Sequence, residues 1–105
     1  MYSVIFFGTP AFSIPALEAL KRDARFSLDL VVTQQPKPVG RDQVMTDSPV
    51  AEYAKAHGLP LSTPESLRRD ADFIAKIKEM KPDFLLVVAY GKIIPDDVLA
   101  AARFG

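Results

Sequence analysis

Two apolar runs without a polar interruption, Phe84-Leu85-Leu86-Val87-Val88 and Val4-Ile5-Phe6-Phe7, constrain this chain most. A strand with one wet face alternates apolar and polar residues, whereas a strand covered on both faces has no need to. Both runs therefore read as buried strands of a parallel sheet. Each leads into a turn. Gly8-Thr9-Pro10 closes the first, and Ala89-Tyr90-Gly91 follows the second, where Gly91 lets the backbone bend sharply and Pro95 prepares a helix start. In an open α/β sheet the carboxyl ends of such strands are where ligands are held.

The segments between alternate in period. From Ser13 the apolar positions Ile14, Leu17 and Leu20 recur at helical spacing, with Ser13 as N-cap and Pro15 in the first turn. Leu28 to Thr33 predicts a second strand. Gln34 to Asp47 carries Pro36, Pro38 and Gly40 without periodicity and predicts a long loop. Loops beyond ~12 residues in compact domains are usually functional or mobile. Ser48-Pro49 opens a helix with Val50, Tyr53, Ala54 and His57 on one side and Gly58 as its stop. Leu59-Pro60-Leu61 predicts a short third strand, and Thr63-Pro64-Glu65 the cap and first turn of a brief helix. A longer helix begins at Asp70 with Phe73, Ile74, Ile77 and Met80 as its apolar face, and Pro95 to Ala102 predicts a last short one. The alternation predicts an α/β, Rossmann-like open parallel sheet of about four strands in the order 3-2-1-4, with right-handed crossovers and helices on both faces. The order reverses between the first and fourth strands, so the crevice there brings Gly8-Thr9-Pro10 beside Ala89-Tyr90-Gly91.

The 105 residues make one domain, without internal repeats or linkers. A chain of this length buries ~65% of its unfolded surface without cross-links. The absence of cysteine excludes disulfides and thiolate metal sites and fits a reducing compartment. Thirteen Lys and Arg balance thirteen Asp and Glu, unlike the basic excess of a dedicated nucleic-acid module. No apolar run approaches the ~18 residues of a membrane span. Met1-Tyr2-Ser3-Val4 enters a strand without a basic leader, so no signal peptide is expected, and the location expected is cytoplasmic. No spacing of ligand residues predicts a metal.

The crevice does not read as a dinucleotide site. That motif needs G-x-G-x-x-G, so that free N–H groups at a helix start meet a pyrophosphate. Here the turn is Gly8-Thr9-Pro10-Ala11-Phe12, with one glycine, and Pro10 and Pro15 have no N–H to give. The second strand ends in Thr33-Gln34, without an acid for a ribose. His57 is the sole histidine and stands at a helix end with no carboxylate near it in sequence, which suits a structural role better than a general base. Asp96-Asp97 after Pro95 suit a helix N-terminus better than a catalytic pair. Met45 and Phe104 are apolar side chains expected to meet partners outside residues 1–105.

Several short stretches, in order and across the whole chain, resemble the N-terminal half of the catalytic domain of the methionyl-tRNA formyltransferase family. They are Phe7-Gly8-Thr9-Pro10-x-Phe12, Val32-Thr33-Gln34, Gly40-Arg41, Ser48-Pro49-Val50, Pro64-Glu65-Ser66-Leu67-Arg68 and Ala89-Tyr90-Gly91-Lys92-Ile93-Ile94-Pro95. The resemblance implies formyl transfer from 10-formyltetrahydrofolate to the amino group of initiator methionyl-tRNA in translation initiation. It implies that Tyr90, Gly91, Lys92, Ile93 and Ile94 form part of the folate pocket, with main-chain groups meeting the pterin edge against an apolar wall. Gly8, Thr9, Pro10 and Phe12 would shape the other wall. The plainer alternatives are a strand-end turn and a tight strand-to-helix connection. Arg41 and Lys37 would contact tRNA phosphate, or else be solvated on a loop.

Two departures from the family pattern matter. Its catalytic Asn and His, and an Asp further on, follow a position like Gly105, so none of the catalytic residues is expected within 1–105. The chain then reads as a truncated half of the catalytic domain, lacking its later strands and the C-terminal RNA-binding domain, and is expected to be inactive alone. The family also follows Gly-Arg with a small residue and two lysines. Here Asp42-Gln43-Val44 follow Arg41, and Asp47 stands where proline is usual, so Lys37 and Arg41 against Asp42 and Asp47 leave the loop neutral. A fragment of a sugar-nucleotide N-formyltransferase or of a formyltetrahydrofolate hydrolase is a second reading, and a non-catalytic Rossmann-like interaction module a third. With the fourth strand at the sheet edge, self-association through Phe84–Val88 is also expected.

Overall fold

In chain order the elements are β1 (Tyr2–Gly8), a 3-10 turn (Ala11–Ser13), α1 (Ile14–Arg22), β2 (Phe26–Val32), β3 (Lys37–Val39), β4 (Val44–Thr46), α2 (Pro49–Ala56), β5 (Leu61–Ser62), α3 (Ala71–Met80), β6 (Phe84–Val88) and α4 (Asp96–Leu99). This is a computed structural model in which residues 1–103 are described; Phe104, with its expected partner contact, and Gly105 lie outside the described residues.

The main sheet has four parallel strands in the order β5-β2-β1-β6, which is the order 3-2-1-4 once the hairpin strands are set apart. β1 lies inside it, and Val4 through Gly8 are all buried, which explains a run without alternation. Its residues divide between two cores. Ile5 and Phe7, with Leu30 and Val32 of β2, pack against Phe73 and Ile77 of α3 and Val98 of α4. Val4 and Phe6, with Val31, pack against Leu17 and Leu20 of α1 and Val50 and Ala54 of α2. The chain moves outward from β1 to β2 to β5 with α1 and α2 on one face, then returns to β6 with α3 on the other. Crossovers of a single hand require that change of face when the direction of winding reverses.

β6 differs from the central strand it resembles in sequence. Among the described residues its one partner is β1, and Leu86 and Val87 are 37% and 44% exposed. The strand lies at the edge that the order 3-2-1-4 predicts, but its apolar run was expected to be covered on both faces and is not, so burial follows position in the sheet rather than composition.

Three local expectations are corrected. The loop Gln34–Asp47 contains a β-hairpin, with β3 and β4 antiparallel through Lys37↔Thr46, Pro38↔Met45 and Val39↔Val44. Its turn relies on left-handed Gly40 (φ 78) and Gln43 (φ 52), and a hairpin only three pairs long shows no readable period. No helix forms at Thr63-Pro64-Glu65. That stretch stays irregular, and the only turn comes after it, where Ser66 accepts from the Asp70 N–H (3.1 Å) through its carbonyl and from the Arg69 N–H (3.3 Å) through Oγ. The last helix is Asp96–Leu99, shorter than Pro95–Ala102, with residues beyond it in turns.

The capping expectations divide. Ser48 Oγ accepts from Ala51 N–H at 3.0 Å, and Asp70 Oδ1 from Phe73 N–H at 2.9 Å. Ser13 makes no cap bond, because the 3-10 turn before α1 turns its hydroxyl to Val88 O instead, at 2.7 Å.

At the far end of the sheet Ser3 and Asp83 join the starts of β1 and β6. Ser3 N–H donates to Asp83 Oδ2 (2.8 Å), and Asp83 N–H to Ser3 O (2.9 Å). Replacing Asp83 by Ala leaves the Ser3 amide short of its acceptor and is expected to cost ~1–3 kcal/mol. Urea unfolding of Asp83→Ala beside wild type measures this, and coincident curves would show that solvent replaces the contact.

Candidate ligand crevice

The switch point of the sheet lies between β1 and β6, where Gly8 pairs with Val88. A Cβ on Gly8 would lie 2.7 Å from the Phe6 ring and 3.0 Å from the Val88 carbonyl oxygen, so the approach of the two strands requires glycine. Beyond them the two turns meet. Thr9 Oγ1 donates to Tyr90 O at 2.6 Å, and Gln34 Nε2, arriving from the end of β2, donates to the same oxygen at 2.8 Å. Gly8-Thr9-Pro10 and Ala89-Tyr90-Gly91 therefore share one end of the sheet, as the strand order demands.

The segment after β6 is built from unusual backbone. Ala89 and Gly91 both have positive φ, 54° and 94°. A Cβ on Gly91 would fall 2.2 Å from Gln34 Nε2, so this glycine is required by conformation and by space alike. Among the described residues, no hydrogen bond engages the main-chain N–H or C=O of Gly91, Lys92, Ile93 or Ile94. Backbone groups in folded proteins are nearly always paired, so these four residues offer their donors and acceptors to solvent or to a ligand. Ile93 is 85% exposed, Ile94 packs against the core of α3 and α4, and Lys92 Nζ donates to Glu65 O at 2.9 Å.

Tyr90 meets the turn after β1 through its carbonyl. Its ring is buried, edge-on to Phe7 at 5.5 Å, and among the described residues its hydroxyl has no hydrogen-bond partner. Burial alone, disfavouring the phenolate, pushes its pKa up to about 12.

Phe12, in the 3-10 turn after β1, is 69% exposed. A cavity of ≈ 210 Å³ opens beside Thr9 and Gln34, with Lys37, Thr46 and Ser48 among its walls. Lys37 thus borders the crevice, whereas Arg41 stands in the exposed hairpin turn. A second cavity of ≈ 350 Å³ lies beside Lys92 and Ile93, with Leu67 and Arg68. The cavity of ≈ 460 Å³ between α1 and β6, walled by Leu20, Phe26, Phe84 and Leu86, belongs to the sheet edge and not to this crevice.

Other sequence candidates fall outside it. His57 sits at the end of α2, stacked on Tyr53 at 4.1 Å, with Lys21 Nζ 3.2 Å from its Nδ1, and so bridges α1 and α2. Asp96 and Asp97 occupy the first turn of α4. Among the described residues no three His, Asp or Glu side chains are grouped to hold a metal ion. Sequence reading gave Ser13 only the role of an N-cap and Gln34 no role as a side chain. The signal was present: a polar side chain at the end of a buried strand must find a partner.

Residues 1–105 match the formyl transferase family. Among curated proteins, the methionyl-tRNA formyltransferase of Deinococcus radiodurans is 49% identical over 102 residues, covering 97% of this chain and 31% of its own length. That of Caldicellulosiruptor saccharolyticus is 39% identical, covering 97% and 33%. That of Ehrlichia ruminantium (strain Gardel) is 42% identical, with the same coverage. The chain spans about a third of the length of the curated relatives it matches. Among solved structures, the phosphoribosylglycinamide formyltransferase of Streptococcus pneumoniae TIGR4 matches with a TM-score of 0.60 at 21% identity, over 96% of this chain and 52% of that one, a likeness of fold.

Because the Tyr90 hydroxyl is buried without a partner, Tyr90→Phe is expected to leave stability unchanged or raise it by up to ~1 kcal/mol in urea unfolding. The raised pKa also has a signed consequence. Below pH 10.0 the phenol is neutral whether folded or unfolded, and as pH climbs from there toward about 12 the unfolded chain ionises first, so stability falls. Alkaline unfolding followed by circular dichroism should show this loss in wild type and a smaller one in Tyr90→Phe.

Proposed function

The chain belongs to the formyl transferase family, and on that premise we propose that it builds the formyl-donor end of a methionyl-tRNA formyltransferase. The reaction moves a formyl group from 10-formyltetrahydrofolate to the amino group of initiator methionyl-tRNA at the start of translation, in the cytoplasm. The amine nitrogen attacks the formyl carbon, the bond from that carbon to folate N10 breaks, and the amine proton passes to N10. Such a step needs a base for the proton and a donor for the developing oxyanion. The crevice offers Thr9, Ser13 and Gln34, which are neutral and already bonded to carbonyls; it is the family resemblance that assigns the chemistry to Asn, His and Asp residues of the parent enzyme outside residues 1–105.

The observation that carries the reading is the run of main chain from Gly91 to Ile94 that has no hydrogen-bond partner among the described residues, next to the Tyr90 turn held by Thr9 and Gln34; Gly8, Thr9, Pro10 and Phe12 are assigned to the facing wall. A pterin is flat and apolar in its faces and rich in donors and acceptors at its edge, which is the chemistry that such a segment reads. Lys37 and Arg41 on the hairpin supply tRNA phosphate contacts; with Asp42 and Asp47 beside them, the net contribution is small and the salt dependence shallow. What supports this acceptor is the naming of the relatives cited above, each a methionyl-tRNA formyltransferase.

A second reading concerns the edge of the sheet. Among the described residues β6 pairs with β1 alone, with exposed Leu86 and Val87 and the ≈ 460 Å³ apolar cavity alongside. We infer that residues 1–105 alone self-associate there, a second copy adding its own β6.

Three measurements test these readings. Titration with 5-formyltetrahydrofolate should give binding to wild-type protein that Gly91→Ala weakens about tenfold or more, since the added carbon displaces Gln34. Equal affinity would remove Gly91–Ile94 from the pocket. Residues 1–105 alone should not formylate methionyl-tRNA, and turnover by them would refute the assignment of the catalytic groups. Light scattering of the same polypeptide should rise above monomer mass with concentration; a constant monomer would reject the β6 contact.

A further inference from the structure

The Tyr90 carbonyl is the most heavily held backbone group in the crevice. A carbonyl oxygen has two lone pairs, and here both have donors from different strands, Thr9 Oγ1 after β1 at 2.6 Å and Gln34 Nε2 after β2 at 2.8 Å. Two residues earlier, at the end of β6, Val88 O is held by Ser13 Oγ at 2.7 Å. Between these anchors Ala89 takes a left-handed φ of 54°, which a residue with a Cβ does not keep unaided. Gln34 is itself buried, and the missing side chain of Gly91 is what lets its amide lie there.

Resting on the folate reading above, we infer that Thr9 and Gln34 are positioning residues that fix which main-chain groups face the formyl-folate. The Tyr90 C=O and the Gly91 N–H belong to one planar trans peptide and point in opposite directions. With the carbonyl held inward by two donors, it is withdrawn from any ligand, and the Gly91 N–H is turned away from the Thr9–Gln34 side. That N–H has no partner among the described residues. This point of the crevice therefore donates and does not accept, and the ligand edge that meets it carries an acceptor. In this role Thr9 and Gln34 act through the orientation of one peptide.

The test uses Thr9→Val and Gln34→Met, which keep shape and remove the donors, with Thr9→Ser as the conservative variant. Two quantities are read in the full enzyme: affinity for 5-formyltetrahydrofolate, and the amide signal of Gly91 in protein carrying isotope-labelled glycine. Each donor deletion is expected to weaken binding about tenfold, to shift the Gly91 amide, and to raise KM for the formyl donor more than it lowers kcat. Thr9→Ser should restore affinity to within about twofold. Unchanged affinity in both deletions, or a Gly91 amide that stays in place, overturns the inference. If wild-type enzyme does not bind the folate at all, the folate reading fails, and the amide signal alone decides the lock: movement supports it and constancy overturns it.

Discussion

Everything in this fold depends on burying β1 along both faces. Val4 to Gly8 lose contact with water entirely, Ile5 and Phe7 toward one layer of helices and Val4 and Phe6 toward the other. A strand buried in this way cannot leave its own backbone unpaired, so it must have neighbours on both sides, and β2 and β6 supply them. Once both are parallel to it, the helices have to cross on opposite faces, and the strand order reverses at β1.

That reversal creates the crevice. Chain segments leaving β1 and β6 diverge to opposite faces, and the gap between them is held open by polar side chains and not by apolar filling. Thr9, Ser13 and Gln34 tie the turn after β6 to the ends of β1 and β2. Glycine stands at the two points where atoms come too close for a side chain, Gly8 against Val88 and Gly91 against Gln34. The outcome is a rigid frame around backbone that has no internal partner, an arrangement suited to recognising the edge of a planar ligand.

Some of this was legible in the residues and some was not, for identifiable reasons. Strands with a continuous apolar run and helices with a full turn of apolar spacing announced themselves, and the reversal of strand order followed from their alternation. The hairpin of β3 and β4 did not, because three residue pairs are too few for periodicity and its turn uses Gln43 as well as Gly40 in left-handed backbone. Thr63-Pro64-Glu65 carried a helix-start pattern without the apolar face that would have given a helix something to bury. Tyr90 looked like a pocket residue, but its ring is taken up by Phe7 and the core of α3 and α4.

What the amino-acid sequence determined by itself is the class of fold, the sites of the two tight turns and the family, because these rest on local patterns of burial, glycine and proline. The tertiary structure alone decided that Ser13 serves the Val88 carbonyl instead of its own helix, and that Gln34 and Thr9 converge on one oxygen. Those outcomes join residues 56 to 81 positions apart. A hydrogen bond between such distant groups exists only after the sheet has brought its strand ends together, and no local pattern encodes it.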